Sequence, residues 1–136
     1  MKEEELTGKI IGCAMKVHRT LGGGFLESVY QNALAYELQQ AGLKAECEVP
    51  IKVFYDGVDV GEFYADILVD KQIIVENKAV EQLNPAHEVQ LVNYLTATTY
   101  NVGLLFNFGA ASLQYKKKFR VYRKAGGNPV NPEKSC

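Results

Sequence analysis

Cysteine, histidine and long apolar runs are all scarce in this 136-residue chain, and each shortage removes a class of protein. The three cysteines, Cys13, Cys47 and Cys136, are an odd and scattered set with no CxxC pair. That pattern argues against a disulfide framework and against a cysteine zinc site. The two histidines, His18 and His87, lack the spacing of a metal-ligand pair, so no zinc site is expected from them either. No apolar run approaches the length of a membrane span. The acidic opening Met1-Lys2-Glu3-Glu4-Glu5 lacks the basic-then-apolar layout of a secretory signal. No membrane association is expected, and the expected compartment is the reducing cytoplasm. Gly22-Gly23-Gly24 has no following P-loop lysine and hydroxyl, so it reads as a sharp turn and not as a phosphate cradle.

Net charge is also small, at −1, but it is unevenly spread. Residues 1–115 carry 8 Lys and Arg against 15 Asp and Glu, and residues 116–136 carry 7 against 1. The basic stretch Lys116-Lys117-Lys118-Phe119-Arg120-Val121-Tyr122-Arg123-Lys124 has two readings, an edge that grips a polyanion and a solvated edge strand guarded by lysines.

What is present is enough for one domain, expected over residues 1–124 with a flexible tail over 125–136. Thr7 reads as the N-cap of a first helix whose apolar residues Ile10, Ile11, Ala14, Val17 and Leu21 keep a 3.6-residue period. A second helix, 26–41, places Leu26, Val29, Tyr30, Ala33, Leu34 and Leu38 in one stripe, with Gly42 as its C-terminal cap. The pattern then changes to period two, with Asp56-Gly57 as a hairpin turn, and strands are expected near 46–53, 58–70 and 72–79. Asn84-Pro85 opens a third helix as N-cap and first residue, and strands follow at 102–108 and 112–123. The order is α-α-β-β-β-α-β-β. A helix between two strands permits a right-handed crossover that makes them parallel, so the expected fold class is α/β, or more closely α+β, with helices packed on a mixed sheet.

The stretch Asp66-Ile67-Leu68-Val69-Asp70-Lys71-Gln72-Ile73-Ile74-Val75-Glu76-Asn77-Lys78 carries charge inside a core hairpin. Alternation puts Glu76 and Lys78 on one strand face. If Asp70-Lys71-Gln72 is a three-residue turn, Val69 pairs with Ile73 and Asp66 lies opposite Glu76 on the same face. A two-residue turn would separate them. Two facing carboxylates repel and lose hydration when covered, and something must offset that. A divalent cation is one answer, since Mg²⁺ takes oxygen ligands from one or two carboxylates plus water and phosphate. Closure of a local ion-pair cluster by Lys78 is the other.

Asp66, a hairpin, then Glu76-Asn77-Lys78 resembles the core of the PD-(D/E)xK nuclease superfamily, with Ala65 where its name places proline. More narrowly, Gly24, Glu27 and Tyr30 within Val17–Tyr30 are similar to the named positions of the GxxExxY protein family. The similarity continues through Tyr64-Ala65-Asp66, Val75–Ala79, His87–Leu95 and Asn107-Phe108-Gly109. Tyr64 stands where an arginine often precedes the Ala-Asp pair, and Asn77 replaces an apolar residue.

The resemblance implies a restriction-endonuclease-like core and metal-dependent hydrolysis of phosphodiester bonds in DNA or RNA. Asp66 and Glu76 would hold Mg²⁺ or Mn²⁺, with the Asn77 carbonyl as a further ligand. Lys78 would orient water or stabilise phosphate charge, and Glu27 would be a direct or outer ligand. Tyr30, Gln90 and Tyr94 would support the site, the last two as a Gln-x-x-x-Tyr element, while Lys116, Lys117, Lys118 and Arg120 would contact nucleic acid. The alternative is a catalytically inactive module of the same fold that binds nucleic acid or a protein partner. The small size is compatible with a homodimer.

Overall fold

The two strands richest in β-branched and aliphatic residues, β3 (Ile73–Lys78) and β4 (Val102–Asn107), form the parallel centre of the sheet. Both faces there are covered, as continuous apolar strands require. The computed structural model describes residues 1–121. Around the centre stand α1 (Glu3–Leu21), α2 (Glu27–Gln40), β1 (Ala45–Tyr55), β2 (Val58–Val69), α3 (Pro85–Thr96) and β5 (Gln114–Phe119). The sheet order is β1-β2-β3-β4-β5, with every neighbouring pair antiparallel except β3 and β4. The expected element order and the mixed sheet are therefore the observed ones. The expectation for residues 125–136 lies outside the described residues.

Period two divides the sheet's side chains between two cores. On one face Ile67, Val69, Ile73, Val75, Leu104 and Phe106 pack under α1 and α2. On the other Leu68, Ile74 and Leu105 meet Leu91 and Leu95 of α3. Helix α3 starts as its sequence predicts: Asn84 Oδ1 accepts from the Ala86 amide at 2.8 Å, and the His87 ring returns a bond to the Asn84 amide at 3.2 Å. The other histidine is also occupied structurally, with His18 Nε2 bonded to the Ala110 carbonyl at 2.9 Å.

Two local expectations are corrected. Thr7 is not a cap: α1 begins a turn earlier, and the Thr7 hydroxyl donates to Glu3 Oε2 at 2.7 Å inside the helix. Leu26 and Val29 are exposed, because the buried stripe of α2 runs through Tyr30, Leu34, Ala35 and Leu38. No helix among the described residues is long and apolar enough to cross a membrane.

Strand pairing is uneven, and this unevenness positions the site. Strand β2 pairs with β3 only over Ile67–Val69, whereas it pairs with β1 along nearly its whole length. Residues 50–64 therefore leave the sheet as a two-stranded arm. Its tip is the Asp56-Gly57 turn, where both residues have positive φ (51° and 76°), as a tight hairpin of native twist needs.

Candidate active site

Asp66 and Glu76 sit where the arm forks away from β3. Val69 pairs with Ile73 across the Asp70-Lys71-Gln72 turn, the register that sets the two acids opposite each other. Past Ile67 the backbone ladder between the strands stops, and the carboxylates replace it. The Asp66 amide donates to Glu76 Oε2 at 3.0 Å, and the Asn77 amide donates to Asp66 Oδ2 at 2.7 Å. The charged side chains thus satisfy main-chain donors that the fork leaves without strand partners. This clasp is local and reciprocal.

The clasp is electrostatically expensive. Glu76 is only 7% exposed. Burial, and then the Asp66 charge, push its carboxyl up to about 8. Burial also raises Asp66, against the lowering effect of the Asn77 amide, and the negative charges of Glu48 and Glu27 add to the rise. Lys78 lowers both acids, but it makes no close ion pair with either among the described residues. An ion-pair cluster closed by Lys78 is therefore not what holds the pair. The end of β3 is fixed instead through its backbone: the Lys78 carbonyl accepts from the Phe108 amide, and Asn107 Oδ1 accepts from the Val80 and Gly109 amides.

The donor set fits a hard divalent cation. After the clasp, Asp66 Oδ1 and Glu76 Oε1 have no hydrogen-bond partner among the described residues, and both are carboxylate oxygens of the kind Mg²⁺ and Mn²⁺ prefer. Among the described residues no group of three His, Cys, Asp or Glu is arranged to hold a metal. A two-carboxylate site leaves the remaining positions to water and phosphate, the usual arrangement for Mg²⁺.

The other site residues of the sequence analysis divide clearly. Glu27 is the first residue of α2 and is exposed; its charge reaches Asp66, but it makes no hydrogen bond to either acid among the described residues. Tyr94 lies close. Its ring stacks on Phe63 with centroids 3.6 Å apart, and burial, then Glu76 and Asp66, raise its phenol. Gln90, one turn earlier, is exposed. Tyr30 is fully buried away from the acids. Its hydroxyl donates to the Gly22 carbonyl at 2.5 Å and accepts from the Phe25 amide at 3.2 Å, and its ring stacks on Phe108 at 4.8 Å. It therefore braces the glycine turn between α1 and α2, where Gly22 and Gly24 have φ of 68° and 105°.

The basic strand is partly neutralised. Lys117 pairs with Glu3 at 2.6 Å and Lys118 with Glu88 at 3.1 Å, on opposite faces of the sheet. Lys116 is exposed and lies in the same cross-strand row as Glu76, through Leu105, two strands or about 10 Å away. Arg120 follows β5, its amide bonded to the Asn101 carbonyl.

One acid near the site escaped the sequence reading. Glu48 of β1 lies beside Asp66, and its charge raises both Asp66 and Glu76. It has a left-handed φ of 52°, unusual for glutamate, and its Oε2 accepts from Gln31 Nε2 at 2.8 Å. Counting straight back from the Asp56-Gly57 turn sets Cys47 opposite Asp66. An irregularity at Val53/Phe54 shifts the pairing by one residue, so that Cys47 meets Ile67 and Glu48 takes the place across from Asp66.

No curated protein and no solved structure matches the chain. A family model does, over residues 4–121, and its description is the PD-(D/E)XK nuclease superfamily. The acids at the strand fork, the lysine two residues on and this match over most of the sequence agree, and the chain belongs to the PD-(D/E)XK nuclease superfamily.

Proposed function

We propose that this chain is a divalent-cation-dependent nuclease that hydrolyses phosphodiester bonds of DNA or RNA in the cytoplasm, and that within its superfamily it is a GxxExxY protein. The observation that carries the reading is the pair of facing carboxylates at the fork, Glu76 buried and Asp66 half-buried, both raised in pKa and each left with one oxygen unbonded among the described residues. Bound Mg²⁺ or Mn²⁺ would polarise the scissile phosphate and acidify an attacking water. Asp66 Oδ1 and Glu76 Oε1 would hold the ion, with the Asn77 carbonyl as a further ligand by family analogy. The Lys78 ammonium, on the same strand face as Glu76, orients the attacking water and meets the charge that grows on the phosphate oxygens. Glu27 and Glu48 add negative potential that favours a cation there. Tyr94 and Gln90 line the substrate side, and Lys116 meets the nucleic-acid backbone.

The test is incubation of the purified chain with single- and double-stranded DNA and RNA, in Mg²⁺, Mn²⁺ or EDTA. Cleavage in the metal buffers and none in EDTA is expected, and Lys78→Ala is expected to abolish it with an unchanged melting temperature. Calorimetric Mn²⁺ binding by the wild type, lost in Asp66→Asn, is the companion readout. A chain that neither cuts any of the four substrates nor binds Mn²⁺ refutes the proposal.

One observation favours a second reading. Both carboxylates already have structural work as acceptors for backbone amides, so the fold has a use for them without chemistry. A non-catalytic module predicts salt-sensitive nucleic-acid binding that survives Asp66→Asn and Glu76→Gln.

A further inference from the structure

The arm turns over at its root, and Glu48 is one of the two residues at which it does so. Side chains an even number of positions apart share a face in an unbroken strand. In β2, Ile67 and Val69 pack under α1 and α2, but Ala65 and Phe63 pack with the α3 core, so the face reverses at Asp66. In β1, Ala45 packs under α1 and α2, but Val49 and Ile51 pack with the α3 core. Glu48 lies within that interval and is the one residue of β1 with a positive φ, 52°. Cys47 pairs with Ile67 and Val49 with Ala65, which sets Glu48 across from Asp66.

Turning the strand over does not by itself call for glutamate. Glycine and asparagine take a left-handed backbone more readily, and an acid across from Asp66 adds like-charge repulsion. Glu48 incurs both costs, and its charge raises Asp66 and Glu76. Its carboxylate is nonetheless held in a defined place. Gln31, one turn after Glu27 on α2, donates from Nε2 to Glu48 Oε2 at 2.8 Å. Glu48 Oε1 has no hydrogen-bond partner among the described residues, and the residue is exposed. At the same fork Glu76, more than nine-tenths buried, likewise keeps Oε1 without a partner.

We infer that Glu48 is a positioning residue of the cation site: steadied by Gln31, its Oε1 accepts a hydrogen bond from a water of an ion held at Asp66 and Glu76. The inference rests on the proposed reading of those two acids and adds a third that acts without touching the ion. Direct coordination does not fit Glu48, because among the described residues no group of three acids is arranged around one point. Mg²⁺ bound by one or two carboxylates keeps several waters, and a carboxylate is a strong acceptor for such donors. An acceptor fixed beside the ion raises affinity and orients the waters it holds. Gln31 is what separates this role from a diffuse negative potential, which would not depend on how the carboxylate is held.

Calorimetric titration of the full chain and its variants with Mn²⁺ tests the inference. Asparagine and aspartate both tolerate a left-handed backbone and share a shape, so Glu48→Asn and Glu48→Asp differ in charge. Glu48→Asn is expected to weaken Mn²⁺ binding about 10-fold or more, the usual cost of losing an outer partner, and Glu48→Asp is expected to bind more tightly than Glu48→Asn. Gln31→Leu should weaken binding in the wild type and change nothing in Glu48→Asn, because it acts through the glutamate. A purely structural role at the turn-over predicts that Glu48→Asn binds Mn²⁺ as well as the wild type does. That result overturns the inference and leaves the reading of Asp66 and Glu76 standing. Equal affinities for the two shape-matched variants overturn it whatever their stability, and so does wild-type affinity in Gln31→Leu. A wild type that binds no Mn²⁺ overturns both this inference and the reading on which it rests.

Discussion

Replacing Glu76 by glutamine should make the protein more stable at pH 8 and should flatten its dependence on pH. In the fold this carboxyl is raised from an ordinary 4.5 to about 8, by burial and by the facing Asp66. Between those values the folded chain holds a proton that the unfolded chain has released. Stability is therefore fullest below about 4.5 and falls as pH rises through about 8. The gap of 3.5 units sets a ceiling of about 5 kcal/mol on the loss, at 1.36 kcal/mol per unit. With a urea slope of about 2 kcal/mol per molar, the wild-type midpoint in EDTA should drop by up to roughly 2 M between pH 4.5 and pH 8.5. Asp66 is raised in the same sense and contributes to the wild-type slope. The difference between wild type and Glu76→Gln reads Glu76 together with its coupling to Asp66, because glutamine keeps an oxygen for the Asp66 amide without the charge. Equal slopes for the two proteins would refute the claim that this carboxyl is strained by its site. Mn²⁺ at pH 8 should recover much of the wild-type loss and little of the variant's.

Other substitutions test the packing around the site. Asn77 is 1% exposed, and neither polar atom of its side-chain amide has a hydrogen-bond partner among the described residues. Asn77→Val should raise the urea-derived stability by about 1–3 kcal/mol, and an unchanged or lower value would mean that the amide is satisfied. Tyr30→Phe should cost about 1–2 kcal/mol, because the Gly22 carbonyl and Phe25 amide both lose the hydroxyl. A loss under a few tenths would show that the inter-helix turn does not need it.

Much of this arrangement was legible in the sequence because short-range rules suffice for it. The Asp70-Lys71-Gln72 turn is local to its hairpin, so counting across it placed Asp66 opposite Glu76. The third helix declared itself by Asn84-Pro85, whose capping bonds are also local. What escaped depended on events farther along the chain. Glu48 was hidden because the irregularity at Val53/Phe54 displaces every pair beyond it, and nothing in that stretch announces it. The exposure of Glu27 is likewise not legible locally, because the turn at Gly22–Gly24 sets the start of α2 so that Tyr30, and not Glu27, meets the core. The pairing of the basic strand is hidden for a similar reason. Its partners Glu3 and Glu88 are distant in sequence, and only the folded sheet brings them to Lys117 and Lys118.

The acid clasp also stands at the root of the arm, so it serves as the latch of a lever. Ionising both carboxylates would set like charges facing each other across the two strands, and a proton or cation between them would remove that repulsion at the ribbon's pivot. Placing a cation between these acids and setting the arm's angle would then be one mechanical event. By thermodynamic reciprocity, a partner that fixes the arm must tighten the grip on the ion to the same degree.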